Sequence, residues 1–191
     1  CGNIYVSNLT IGEGAVVDVP SMVDPSTLDN RGTFVINKYP SWLDVVGRLG
    51  HYVVNDVHTD QYGFTIPVGS DVVGVADSTS SNGVRSTLTL ASGKSLTGSN
   101  LYFLGVSLDI KGDVDLTDTL ILYQGSKITI DGTLRCRGIW AKENSVLTLN
   151  GEASPAASCE APLRSDCASW FGGRKGGFFK GQVRNVRIDY Q

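Results

Sequence analysis

The chain has 191 residues and 41% hydrophobic content, enough for one domain with a core of its own. Charged residues make up only 18% and the net charge is −3, so there is no basic field of the kind that general nucleic-acid binding needs. No apolar run approaches the roughly 18 residues of a membrane span, and the 23 glycines among many Ser, Thr, Val and Leu point to short strands joined by tight turns.

Residues 1–83 read as irregular strands with a cap. Ile4, Val6, Leu9 and Ile11 mark one strand and Phe34-Val35-Ile36 another, with a turn-rich excursion from Pro20 to Arg31 between them. Pro40 to Gly47 is predicted as a short helix, because Ser41 can cap it with Asp44 at the third position and Gly47 can end it. Such a helix would close one end of a stacked core. His51 and His58 also lie here. With no G-x-S-x-G elbow in the chain, both are expected to be polar loop residues rather than members of a nucleophilic triad.

Residues 84–152 carry a repeat. Leu88-Thr89-Leu90, Leu108-Asp109-Ile110, Ile128-Thr129-Ile130 and Leu147-Thr148-Leu149 follow one another at steps of about 20 residues. Each triplet alternates apolar, polar, apolar, the period of a strand with one buried face. In the last three, one polar residue and then glycine follow: Lys111-Gly112, Asp131-Gly132 and Asn150-Gly151. A second strand sits midway through each unit: Leu101 to Leu104, Leu120 to Tyr123, and Ile139 to Ala141. One such unit cannot bury its own apolar face, whereas stacked units form a continuous core. The fold expected is therefore all-β, a β-solenoid of about 20-residue coils, with a β-sandwich or jelly roll as the alternative.

Residues 62–75, with Phe64-Thr65-Ile66-Pro67 leading to Val72-Val73-Gly74-Val75, resemble the entry coils of pectin-lyase-like right-handed β-helices. That superfamily includes pectate lyases, phage tailspikes and surface adhesins. The resemblance spans roughly residues 50–152 and implies a single-stranded, right-handed parallel β-helix. It also implies a possible use for the acidic cluster Asp109, Asp113 and Asp115. Lyases of this type hold calcium with such acids and use Arg or Lys as base, and Arg135 and Arg137 lie about one coil onward. Solvated turn acids are the competing reading, and calcium is the one cofactor considered.

The outward residues of the triplets, Thr89, Asp109, Thr129 and Thr148, form a candidate ladder that Asp109 interrupts. Tyr102, Tyr123 and Trp140 fall on neighbouring coils. Exposed, they would make a strip that stacks on sugar rings; buried, they would be core.

Residues 153–191 read as a disulfide-containing loop and a basic C-terminal strand or arm. From Glu160 onward six basic residues face three acidic ones, so the tail is positive and the body negative. Four cysteines without a CxxC pair, and only two histidines, argue against zinc and for disulfides in an oxidising compartment. Cys159 with Cys167 would close a short loop and leave Cys1 to reach Cys136, although the other pairings and four thiols stay open. Arg174, Lys175, Phe178 and Phe179 suit an assembly arm that docks on the acidic body of a second copy.

Together these features lead us to expect a non-enzymatic structural or adhesive protein, extracellular or on a cell or virion surface. Its partners would be copies of itself and surface polysaccharide, with no nucleic acid and no transmembrane segment. A calcium-dependent polysaccharide lyase or hydrolase and a lectin-like carbohydrate-binding module are the rivals.

Overall fold

The computed structural model describes residues 4–20, 23–37, 45–56, 58–59 and 65–150. These contain eighteen strands and no helix. The first six are β1 (Ile4–Ile11), β2 (Val16–Asp18), β3 (Val23–Asn30), β4 (Thr33–Ile36), β5 (Gly50–Val54) and β6 (His58–Thr59). Next come β7 (Thr65–Ile66), β8 (Ser70–Ala76), β9 (Val84–Thr89), β10 (Ser95–Gly98), β11 (Leu101–Leu104) and β12 (Ser107–Lys111). The last six are β13 (Asp113–Leu116), β14 (Thr119–Tyr123), β15 (Lys127–Asp131), β16 (Leu134–Arg135), β17 (Gly138–Ala141) and β18 (Val146–Leu149).

The strands stack into a β-solenoid of about 7 turns, about 19 residues apart. Three sheets wall the regular coils. The long sheet runs β18-β15-β12-β9-β8-β5-β4-β2, the middle sheet β16-β13-β10-β7-β6, and the short sheet β11-β14-β17. β1 and β3 pair in parallel as a separate two-stranded sheet. The repeat thus holds a third strand per coil, β10, β13 or β16, beyond the two that the hydrophobic pattern marks.

Register follows the triplets closely. Leu108 pairs with Ile128 and Ile128 with Leu147. The first triplet departs, because Leu88 pairs with Ile110 rather than Leu108. A shift of two residues keeps every side chain on its own face, so the core tolerates it. Inside lie Leu88, Leu108, Ile110, Ile128, Ile130 and Leu147 from the long sheet. Leu96, Val114 and Leu134 come from the middle sheet, and Leu101, Phe103, Leu120 and Leu122 from the short one. All are buried, and they form one continuous core.

The corners between short and long sheets show why the coil closes here. Gln124 and Gly125 have φ of 55° and 72°, and one coil later Glu143 and Asn144 have 55° and 61°. Two successive positive φ values make the tight reversal of a type I′ turn. It is closed by Ser126 N–H to Tyr123 O at 3.1 Å and Ser145 N–H to Lys142 O at 3.0 Å. The serine after each turn is buried and serves the corner backbone. Ser126 Oγ has Tyr123 O at 2.6 Å and Phe103 O at 3.0 Å as acceptors for its one proton and accepts from Val106 N–H at 3.3 Å, while Ser145 Oγ accepts from Ser126 N–H at 3.1 Å. Ser126→Ala strips a partner from the half-buried Val106 amide and from the corner carbonyls of Phe103 and Tyr123. It is expected to cost about 1–3 kcal/mol, readable as a lowered urea midpoint with unchanged slope.

A second ladder lies N-terminally. Asn55 Nδ2 donates to Asn37 Oδ1, and Asn37 Nδ2 to Asp18 Oδ1, each at 2.6 Å. Stacked coils bring equivalent polar residues into register and let each satisfy the next.

The parallel stack has one reversal. β8 is antiparallel to both β5 and β9, and β7 to both β6 and β10. The chain therefore traverses one coil backward between β6 and β9. The helix expected over 40–47 is not found in its described part: Val46 and Gly47 form a turn, and residues 40–44 lie outside the described residues.

Candidate functional site

The short sheet carries the most distinctive outer face. Alternation along β11, β14 and β17 sends Leu101, Phe103, Leu120 and Leu122 into the core and the residues between them outward. Register then sets two outward columns. Tyr102 pairs with Ile121 and Ile121 with Trp140. Leu104 pairs with Tyr123. Tyr102 is 37% exposed and Trp140 54%, whereas Ile121 between them is only 7% exposed, shielded by its two neighbours in the column. Tyr123 is half-buried and Leu104 exposed.

Lys142 completes the face. Its Nζ lies 4.9 Å from the Trp140 ring centroid and 5.6 Å from that of Tyr123. An ammonium over two rings is attracted to their negative faces and holds them in place. The structure thus brings Tyr102, Tyr123 and Trp140 together on one surface, although in two columns rather than one strip. Hydrophobicity alone left Lys142 unnoticed. Extending the 19-residue step of this sheet by one position, from Tyr123 to Lys142, would have found it.

The three aspartates are placed differently. Asp109 stands on the long sheet, and the Arg85 guanidinium grips its carboxylate through Nε and Nη2, each at 2.8 Å. Asp113 and Asp115 stand on the middle sheet. Asp113 Oδ1 accepts the Thr133 N–H at 2.7 Å, and Asp115 lies 3.6 Å from Arg135. Among the described residues, no three His, Cys, Asp or Glu side chains are arranged to hold a metal ion. The triplet ladder is rebuilt by the register shift. Thr87, not Thr89, stands in line with Asp109, Thr129 and Thr148.

His51 is not a loop residue. It sits on β5, with Nε2 2.8 Å from Asp71 Oδ1 and Nδ1 3.2 Å from Thr33 Oγ1. The order hydroxyl, imidazole, carboxylate is that of a nucleophilic triad. Here it crosses an open sheet face between strands whose amides are committed to the ladder, and it ties β4, β5 and the reversed β8 together. The His58 side chain lies outside the described residues.

Cys136 is 5% exposed in the core. Cys1, Cys159 and Cys167 lie outside the described residues, as do Arg174, Lys175, Phe178 and Phe179 of the expected assembly arm. No described helix is long and apolar enough to cross a membrane. Comparison with protein-family models, with curated proteins and with solved structures gives no match.

Proposed function

We propose that this chain is an adhesive β-solenoid module that holds polysaccharide on the outer face of its short sheet. The observation that carries the reading is the cluster of Tyr102, Tyr123 and Trp140 on three successive coils, with Lys142 over two of the rings. Aromatic rings that are rigid and half-wet offer apolar area to the C–H face of a sugar at small entropic cost. The rings stand on three successive coils in two adjacent columns, so a polymeric ligand laid along the stack would meet them in turn. The same reading places the chain among pectin-lyase-like β-helices at a cell or virion surface, on the likeness of its coil pattern.

Self-association belongs to the proposal. Among the described residues, β16, β17 and β18 end their sheets with a neighbour on one side only. A strand edge with one neighbour can pair with another chain.

Trp140→Ala tests the binding role, because an exposed side chain can be removed without opening the core. The wild type is expected to bind a subset of an array of soluble oligosaccharides saturably. The variant is expected to lose about tenfold or more in affinity for the same sugars, with an unchanged circular dichroism spectrum and unfolding midpoint. Equal affinity in the two proteins would sink the assignment of this face.

A further inference from the structure

The long sheet holds a second feature. The loop between β8 and β9, residues 77–83, leans over the outer face of β9, β12, β15 and β18. The cleft beneath it has a volume of about 290 Å³; Asp77, Thr79, Arg85, Asp109, Lys127, Thr129 and Thr148 give it a polar lining, to which Ile128 and Val146 add apolar area. That is just under the range of small-ligand pockets, which run upward from about 300 Å³, and suits one sugar unit.

The wall of the cleft is fixed in advance. Asp77 Oδ1 accepts the Thr79 N–H at 2.8 Å, and this bond holds the carboxylate below its ordinary pKa, hence ionised at neutral pH. Ser80 Oγ donates to Asp77 O at 3.1 Å, and Ser81 Oγ donates to Gln124 O at 3.3 Å. Lys127 Nζ reaches up from the floor to Thr79 O at 2.7 Å and pins the loop to the sheet.

The floor is chemically ordered. Arg85, Ser107 and Lys127 share one column, and Thr87, Asp109, Thr129 and Thr148 the next. The fork between Arg85 and Asp109 leaves further N–H donors on the guanidinium and further lone pairs on the carboxylate, side by side. Threonine is the ordinary residue of an exposed strand, and Asp is depleted there. Its presence in mid-ladder, gripped by arginine, sets a charged donor–acceptor pair beside a row of hydroxyls. Charges of both signs balance within the cleft, so it favours neither an anion nor a cation. A neutral polyol matches it, because each pair of vicinal hydroxyls is itself an adjacent donor and acceptor.

We propose that this cleft is a second carbohydrate site, which takes a neutral sugar unit through vicinal hydroxyls held by the Arg85–Asp109 pair, Thr129 and Thr148. It shares its ligand class with the face of the short sheet but stands on separate residues and on another sheet. The chain would then grip glycan on two faces, and the two sites could bridge separate strands of a polysaccharide.

The test is a titration of the full chain with methyl glycosides and disaccharides of glucose, mannose and galactose, followed by backbone amide resonances. One of these sugars is expected to perturb residues 77–85, 107–109, 127–129 and 146–148, in the wild type and equally in Trp140→Ala. Asp109→Asn and, separately, Thr129→Val are expected to weaken that response by about tenfold, with unfolding midpoints confirming that both variants fold. Perturbation confined to residues 101–104, 120–123 and 139–142 would overturn the cleft site and leave the short-sheet site standing. Cleft perturbation unmoved by both substitutions would overturn the residue assignment. Silence at both faces would overturn the two sites together.

Discussion

Gly74→Ala is expected to prevent the chain from reaching its native stack, or to destabilise it by more than about 4 kcal/mol. Gly74 lies on the reversed strand β8 and pairs with Gly50 across the antiparallel seam. A Cβ built there would stand 1.6 Å from the Arg48 carbonyl oxygen and 3.3 Å from Leu49 Cα. Those are backbone atoms at the entry to β5, so the clash cannot be relieved by rotating a side chain. The seam would have to part, and with it the pairing of β8 to both neighbours in the long sheet. Gly93→Ala is the control. Gly93 has φ +69° and nothing within 4 Å of the added carbon, so its cost is only the left-handed backbone, about 1–2 kcal/mol. Denaturant midpoints of the purified variants decide the matter. Equal loss at the two positions would mean that β8 does not approach residue 48 as described.

Leu120→Ala is expected to cost about 3 kcal/mol, within the 2–5 kcal/mol range of leucine truncations in tight cores. Leu120 is completely buried and stands between Leu101 and Ile139 in the inward column of the short sheet. Each coil touches mainly its neighbours, so a void at β14 weakens its interfaces with both β11 and β17. Leu104→Ala, on the outward column of the adjacent strand, removes the same atoms from an exposed site and is expected to cost less than about 1 kcal/mol. Urea titration of the pair distinguishes inward from outward faces directly. A larger loss at Leu104 would invert the assignment of the short sheet.

The regular coils were legible because their chemistry repeats. Apolar alternation with a step near 20 residues gives β12, β15 and β18 at once, and the second apolar run gives β11, β14 and β17. The middle sheet was harder to read. β10 and β16 carry one buried residue each, Leu96 and Leu134, a pattern that turns also show, and only β13 alternates with two, Val114 and Leu116. The shift of β9 by two residues was hidden because it leaves the same face inward. The reversed strand β8 was illegible for a stronger reason. Strand direction leaves no mark on a two-residue period, and the alternation of Val72 and Gly74 inward with Val73 and Val75 outward is the same in either sense. For the site, the aromatic residues were visible as a set, but their exposure depended on which face of β11, β14 and β17 turned inward. Arg85 and Lys127 gave no signal, because the cleft they enter is built by a loop from another coil.

Trp140 offers the most direct measurement. In a chain carrying Trp42→Phe and Trp170→Phe it is the sole indole, and its emission reports the outer face of the short sheet. The expected result is a solvent-exposed spectrum, quenched readily by acrylamide, that shifts to the blue and becomes protected as a bound oligosaccharide is added. A buried spectrum in the free protein, or one that the sugar leaves unchanged while it binds, would contradict the placement of carbohydrate on that face.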